Sequence, residues 1–162
     1  MLKRLFALAA LIFLAASASG GDRPTWTFDS IAPQTADKTT PEKQIYSVLL
    51  NQIDLWNRRD LDGYMQAFWN SPELLVIVQA QQIEGWANLA ATYQRGYPDR
   101  SKMGTLSLER VKIRQMGDDW MALAWSQIHE TGGDTFTTEA IIFRKFDDGF
   151  KIIYDQCSIL EL

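Results

Sequence analysis

Histidine and cysteine are almost missing from this chain, whose 162 residues contain one of each, His129 and Cys157. A single cysteine cannot form an intramolecular disulfide bond. One histidine and one cysteine also fall short of the ligands that a typical zinc site needs. We therefore expect no metal site and a fold held by its hydrophobic core, with Cys157 as a buried and unreactive thiol.

Positive charge is scarce as well: 16 Lys and Arg residues stand against 20 Asp and Glu residues, a net charge of −4. An acidic chain has no electrostatic attraction for nucleic acid or for an anionic membrane. The sequence also lacks the glycine patterns of a P-loop and of a dinucleotide fingerprint, and the G-x-S-x-G elbow of serine hydrolases. These absences predict a protein that uses no cofactor and has no nucleic-acid partner.

Long apolar runs are missing except at the N-terminus. Lys3 and Arg4 precede an apolar run at residues 5–15, and Ala16-Ser17-Ala18 has the small-residue pattern of a cleavage site. A membrane-spanning helix needs about 20 apolar residues, so the run is too short for an anchor. We predict a signal peptide over residues 1–18 and an exported protein, periplasmic or secreted, with no membrane attachment after cleavage. Loss of those two cations would change the net charge from −4 to −6.

Two further segments follow the leader. Residues 19–39 are poor in large aliphatic side chains and predict an extended linker, and residues 40–162 predict one domain. Its first part has helical signals: a helix that starts near Thr40, a short one from Asp60 to Trp69, and a third from Trp86 to Gly96.

Strand patterns take over after a small hairpin at residues 74–83. From Thr105 the apolar spacing predicts long strands, and a phase change near Glu109-Arg110 predicts a β-bulge. Strands are also expected at residues 120–130, 135–146 and 150–158. Helices followed by a bent antiparallel meander place the chain in the α+β class.

Three stretches carry a family resemblance: DLWNRRDLDGYMQAFWNSPEL, IEGWANLAATYQRGYPDRSKMGTLSL and FRKFDDGFKIIYDQCS. Together they resemble the SnoaL-like branch of the nuclear transport factor 2-like superfamily, in particular small exported bacterial members without a settled activity. The likeness covers about residues 41–158. It implies a cone in which about three N-terminal helices pack on a strongly curved, mostly antiparallel sheet and enclose a blind apolar pocket.

Strand alternation suggests which residues line that pocket. Pairing across Gly132-Gly133 predicts that His129 lies opposite Phe136, and a three-residue loop at Asp147-Asp148-Gly149 predicts that Ile142 lies opposite Tyr154. These registers place a mixed aromatic and polar set on one face. Its members are Trp125, Gln127, His129, Tyr154 and Gln156. The helix aromatics Trp56, Tyr64, Trp86 and Tyr93 are further pocket candidates, although packing between helices and sheet is the commoner role of such residues.

The other face of the same strands carries Ile128, Ile141, Phe143 and Ile153. Such an apolar outer face predicts a homodimer formed through the sheet. A two-residue loop would shift the register by one residue and bring Asp155 into the pocket in place of Tyr154 and Gln156.

The candidates for acid-base chemistry are His129, Tyr154 and Asp155. In many relatives the resemblance implies a His-Asp-His stretch at positions 154 to 156, and here Tyr154 and Gln156 replace both histidines. Imidazole is the side chain that titrates near neutral pH, so this replacement weakens a proton shuttle at those positions. Glu139 also stands where the resemblance implies an apolar aromatic side chain.

Two functions follow. The first is an exported, non-catalytic domain that binds a small apolar or amphipathic molecule. The alternative is a metal-free and cofactor-free acid-base enzyme, of isomerase, cyclase or epoxide hydrolase type, acting on an apolar carbonyl or polyketide-like substrate. Two acidic or basic groups that converge in the pocket would favour catalysis, whereas one polar anchor in an apolar cavity would favour binding.

Overall fold

The computed structural model describes residues 40–130 and 132–160. The signal peptide and the linker predicted for residues 1–39 lie outside the described residues. Among the described residues, no helix has the length and apolar character needed to cross a bilayer.

The first helix, α1, spans Pro41–Asn57 and starts where the sequence predicts. Thr40 caps it by accepting a hydrogen bond from the backbone N–H of Lys43, and Pro41 occupies the first turn, where its missing N–H costs nothing. One stripe of the helix is buried against the sheet and consists of Ile45, Leu49, Gln52 and Trp56. The glutamine is the one polar member of that stripe.

The second helix, α2, spans Leu61–Met65 and is shorter than predicted, because we expected it to continue to Trp69. The backbone beyond it bonds to a strand instead. Trp69 N donates to Ile152 O at 2.9 Å, and Ile152 N donates to Ala67 O at 2.8 Å. The third helix, α3, spans Trp86–Gly96, as predicted.

Six strands form one sheet. They are β1 Leu75–Val78, β2 Gln81–Glu84, β3 Thr105–Met116, β4 Asp119–Glu130, β5 Gly133–Phe146 and β6 Gly149–Ile159. The spatial order is β2-β1-β6-β5-β4-β3, with β1 and β6 parallel and the other neighbours antiparallel. Three helices on one curved, mostly antiparallel sheet confirm the α+β prediction.

Two bulges bend the long strands. The register between β3 and β4 shifts between Glu109 and Lys112, with Arg110 at φ 51°, which confirms the predicted bulge. A second shift separates the pair Phe143–Ile152 from the pair Ile142–Tyr154, so β6 has an extra residue at Ile153. This bulge changes which residues of β6 point inward.

The predicted hairpin details were partly wrong. Gly133 pairs with Glu130, so the register of β4 on β5 differs by two residues from our prediction, and His129 lies opposite Asp134 instead of Phe136. The β5–β6 loop has two residues, because Phe146 pairs with Gly149. The expected pairing of Ile142 with Tyr154 is nevertheless present, since the bulge compensates for the shorter loop.

The core lies between the helices and the concave face of the sheet. Its strand residues include Ala122, Ala124, Ile141, Phe143 and Ile152, each at most 2% exposed. We predicted that Ile141 and Phe143 lie on an outer face available for a dimer contact, but both side chains are in the core. Small side chains such as the two alanines let the helices approach the concave face closely. The aromatic and polar side chains that we predicted for the pocket lie on the convex face.

Candidate functional site

A pair of carboxyl groups lies on the concave face, contributed by Glu139 of β5 and Asp155 of β6. Glu139 pairs with Cys157 and Ile141 pairs with Asp155, so the two acids are diagonal neighbours on adjacent strands. Diagonal neighbours on one face lie roughly 7 Å apart, within reach of each other's charge. The two acids therefore form one electrostatic unit.

Glu139 is held by two hydroxyl groups. Ser126 Oγ donates to Glu139 Oε1 at 2.7 Å, and Thr137 Oγ1 donates to the same oxygen at 3.1 Å. Burial raises the pKa of Glu139 above its ordinary value, and the two hydrogen bonds oppose part of that rise. This carboxyl group is thus already provided with partners inside the protein.

Asp155 lacks such support. Its Oδ1 atom is fully enclosed and has no hydrogen-bond partner among the described residues. Burial raises the pKa of Asp155 well above its ordinary value, and the neighbouring Glu139 raises it further. Because two carboxylates in one apolar site repel each other, the pair holds a proton at a pH where exposed acids have lost theirs.

Two tyrosine hydroxyls lie beside the acids. Tyr64 Oη and Tyr93 Oη are 3.5 Å apart, and their rings meet edge to face at 5.5 Å. Burial raises the pKa of both tyrosines, and the charge of Asp155 adds to both shifts. Both hydroxyls are therefore neutral near pH 7, and either one can donate to the other.

Trp56 closes this aromatic group on the side of α1. Its ring lies 5.3 Å from Tyr64, 6.2 Å from Tyr93 and 5.1 Å from Tyr97, in edge-to-face arrangements. Its Nε1 donates to Gly104 O at 2.9 Å in a buried hydrogen bond. A Cβ atom at residue 104 would lie 2.6 Å from His129 O, so only glycine allows this close approach of two backbones.

The predicted pocket residues thus divide into two groups. Trp56, Tyr64 and Tyr93 face the interior, together with the alternative base Asp155. The strand residues of the predicted pocket lie on the convex face: they are Trp125, Gln127, His129, Tyr154 and Gln156. Sequence alternation grouped these five correctly, but their face was assigned to the wrong side.

Several contacts show how the convex residues are used. The guanidinium of Arg110 lies 4.8 Å from the centre of the Trp125 ring. Gln127 Nε2 donates to Asp134 Oδ2 at 2.8 Å. The same aspartate is hydrogen-bonded to His129, whose side chain is 72% exposed.

On β6, Tyr154 Oη donates to Gln156 Oε1 at 3.0 Å. Because residues two apart on a strand share a face, this contact between convex side chains agrees with an inward Asp155. We predicted that a two-residue loop would bring Asp155 onto the face of Trp125. The loop does have two residues, but the bulge cancels its register shift, and Asp155 is inward because the helices cover the face opposite Trp125. The bulge at Ile153 then separates inward Ile152 from inward Asp155.

Trp86 lies elsewhere, beside an open cleft of about 260 Å³. Other members of the lining are Trp69, Phe146, Asp148 and Lys151, close to the β5–β6 turn. The rings of Trp69 and Phe146 are stacked at 5.7 Å. This cleft is about seven strand residues from Glu139, roughly 20 Å along β5.

Sequence reasoning missed Glu139, Ser126 and Thr137 as site residues, and it treated Cys157 only as a buried thiol. The best signal was Glu139 itself, an acid at a position where the resemblance implies an aromatic side chain. Burial raises the pKa of Cys157, and both acids raise it further, so the thiol stays protonated near neutral pH.

Comparison with solved structures finds the same architecture in several bacterial proteins. A nuclear transport factor 2-like protein of unknown function from Shewanella oneidensis superimposes with a TM-score of 0.70 at 27% identity, over 74% of this chain and 99% of that one. A nuclear transport factor 2-like superfamily protein from Salmonella enterica gives 0.62 at 17% identity, over 77% and 94%. This chain has the nuclear transport factor 2-like fold. No family model and no curated protein matches the sequence.

A third neighbour with this fold, from Thiobacillus denitrificans, is described as a putative calcium/calmodulin-dependent protein kinase type II association domain. Its TM-score is 0.61 at 18% identity, over 75% of this chain and 96% of that one. Proteins with the nuclear transport factor 2-like fold thus carry different descriptions, and the fold alone does not select a function. The SnoaL-like branch stays a prediction.

Metal ligation was the remaining question for this site. Within residues 40–130 and 132–160, no group of three His, Cys, Asp or Glu side chains is arranged to hold an ion. The chemistry that the described site offers is therefore that of two carboxyl groups, two phenol hydroxyls and apolar rings.

Proposed function

We propose that this protein is an exported, non-catalytic domain that binds a small apolar or amphipathic molecule inside the cone, with Asp155 as its polar anchor. One observation carries the proposal: Asp155 Oδ1 is enclosed and unpaired, next to aromatic rings. An unpaired buried polar atom costs roughly 1–3 kcal/mol, and a bound ligand that supplies the missing hydrogen bond would remove that cost.

Partial exposure deep in the fold supports an internal pocket. Tyr64, Tyr93, Glu139 and Asp155 are surrounded by protein, yet each is only half-buried. Side chains at such depth keep accessible surface when they line a cavity. A wall of tyrosine rings with few polar groups is the usual composition of a ligand pocket.

The number of unpaired polar groups in the pocket distinguishes binding from catalysis. Ser126 and Thr137 both donate to Glu139 Oε1, whereas the enclosed Oδ1 of Asp155 has no hydrogen-bond partner among the described residues. A single free anchor in an apolar surrounding favours binding.

An acid-base enzyme is the second candidate, and the proximity of Glu139 to Asp155 favours it. One carboxyl group can keep a proton while the other accepts one, and Tyr64 and Tyr93 can donate to a developing oxyanion. A metal-free isomerase, cyclase or epoxide hydrolase acting on a carbonyl or polyketide-like substrate would use these four groups. The convex positions of His129 and Tyr154 remove the geometric support for their catalytic roles.

Export and self-association complete the proposal. Export rests on the leader at residues 1–18. A homodimer formed through a face of the sheet would use the convex face, because Ile141 and Phe143 are in the core. Its support is the 43% exposed Leu123, which shares that face with the half-buried Trp125 and Ile142.

Mass spectrometry under non-denaturing conditions, on protein purified from its native compartment, tests the proposal. We expect a bound small molecule that is retained by wild-type protein and by Tyr154→Phe but lost from Asp155→Asn. Equal retention by both variants would show that the ligand site is elsewhere. Chemical turnover of the bound compound would contradict the binding proposal and favour the acid-base enzyme.

A further inference from the structure

We infer that the ligand of the interior site is a small organic cation, an ammonium group on an apolar or aromatic body, bound between Glu139 and Asp155. This inference rests on the proposed function, since it names the ligand class of the proposed pocket. It follows from the juxtaposition of two inward-facing carboxyl groups and three aromatic rings, with no cation between them among the described residues.

The charges around the Asp155 carboxyl favour a cationic ligand. Within the described part of the chain, the groups that act on the Asp155 carboxyl are Glu139, Cys157, Tyr64 and Tyr93, and none of them is a cation. Buried carboxylates are normally paired with a cation or kept protonated. A cationic ligand is the partner that would let both acids ionise in place.

The aromatic rings beside the two acids also favour a cation. Trp56, Tyr64 and Tyr93 lie within 5.3–6.2 Å of one another, measured between ring centres. Rings around a desolvated site attract ammonium groups, and aromatic cages are the recurrent way in which proteins recognise alkylated amines. The same rings give no such preference to an anion, and the two acids repel it.

An unpaired amide is an independent third observation. Gln52 is 6% exposed, and its Nε2 has no hydrogen-bond partner among the described residues. It lies one turn before Trp56 on the stripe of α1 that faces the sheet. Because an amide N–H needs an acceptor, this atom fits an oxygen on the body of a ligand, and it says nothing about the ligand's charge.

Proton release follows from this arrangement. Without ligand the carboxyl pair retains a proton, because burial and mutual repulsion raise the pKa of both acids. An ammonium ion stabilises both carboxylates, so binding should release about one proton where the pair is half-titrated. Affinity should therefore rise with pH until the amine itself loses its proton.

The test compares three probes with one ring and nearly one length: phenethylamine, 2-phenylethanol and phenylacetate. Isothermal titration of the mature protein at pH 7.5, in two buffers of different ionisation enthalpy, gives affinity and the proton count together. We expect the amine to bind about tenfold tighter than the alcohol, a difference of about 1.4 kcal/mol, and phenylacetate to bind weakest. Amine affinity should fall at pH 5.

Variants assign the effect to the site. Glu139→Gln and Asp155→Asn should each abolish the preference for the amine over the alcohol, and Tyr154→Phe on the convex face should keep it. If the alcohol or phenylacetate binds as well as the amine, and Asp155→Asn still weakens it, the cation inference is overturned while the proposed pocket stands. If no probe binds and no small molecule accompanies the purified protein, both are overturned.

Discussion

The two faces of β6 differ more than their sequence suggests. Asp155 and Cys157 point into the cone, where burial shifts their titration, whereas Tyr154 and Gln156 point outward and bond to each other. The four residues are consecutive and polar or small, so their composition does not say which pair is inside. At the polar end of this strand, the smaller side chains, Asp155 and Cys157, belong to the buried site, and the larger ones face outward.

The contrast extends across the sheet. The concave face of β4 carries Ala122, Ala124 and Ser126, because helices and site groups occupy the space above it. The convex face carries Trp125, which is covered by a cation, and Leu123, which is 43% exposed. Large aromatic residues on a curved strand are therefore a poor guide to the pocket side.

The largest expected effect comes from two adjacent isoleucines of β5. Ile141 is 2% exposed on the concave face, and Ile142 is half-buried on the convex face. Ile141→Ala should lower the free energy of unfolding by about 2–5 kcal/mol, because it leaves a cavity in the core. The matched variant Ile142→Ala should cost about 1 kcal/mol. Urea denaturation measures both, and equal losses would contradict the assignment of faces.

The second comparison uses the adjacent residues Asp155 and Tyr154. The folded protein holds the Asp155 proton above the pKa of about 3.9 that an unfolded aspartate has. Stability should therefore fall as pH rises through the window between the unfolded and the raised folded pKa. Asp155→Asn removes this loss and should stabilise the protein by about 1–3 kcal/mol at pH 8, with little gain at pH 4.

Thermal unfolding at the two pH values checks this prediction, with Tyr154→Phe as the control. The control should change stability by less than about 0.5 kcal/mol at both pH values, since the Tyr154 hydroxyl donates to a glutamine that is itself exposed. A pH-independent effect of Asp155→Asn would argue against a buried acid.

The third comparison concerns two tryptophans. Trp56→Phe removes the buried hydrogen bond to Gly104 O and should cost about 1 kcal/mol or somewhat more, because the smaller ring also leaves space. Trp125→Phe keeps a ring under Arg110 and should cost less than about 0.5 kcal/mol. Chemical denaturation of both variants measures the two losses of stability. A larger loss for Trp125→Phe than for Trp56→Phe would contradict the assignment of Trp56 to the interior and of Trp125 to the convex face.

The smallest effect is expected at His129. Its side chain is 72% exposed and its partner Asp134 lies in the same hairpin, so His129→Gln should change stability by less than about 0.5 kcal/mol. Ligand binding should also be unchanged. A large loss of ligand binding in this variant would contradict the interior site and indicate that the ligand binds on the convex face.

The sequence was sufficient for the architecture because local signals agree with it. The Thr40-Pro41 start of α1, the glycine end of α3 and the bulge near Glu109 each have a local chemical cause. The end of α2 was not predictable in this way, since Trp69 leaves the helix to bond with β6, a partner about 80 residues later.

The site was harder to predict for a geometric reason. Alternation groups residues by face but does not say which face the helices cover, so Trp125 and Tyr154 were grouped correctly and placed wrongly. The bulge at Ile153 then changes parity between Ile152 and Asp155, and no glycine or proline marks it in the sequence. Glu139, an acid where the resemblance implies an apolar aromatic side chain, was the available signal.

Titration of the Asp155 carboxyl carbon by NMR tests the central claim most directly. In the wild-type protein we expect Asp155 to titrate well above the ordinary range of aspartate, and we expect Glu139→Gln to move its pKa back toward that range, because it removes the neighbouring charge. An Asp155 that titrates near the ordinary value of about 4, unchanged by Glu139→Gln, would contradict the buried pair and the ligand site built on it.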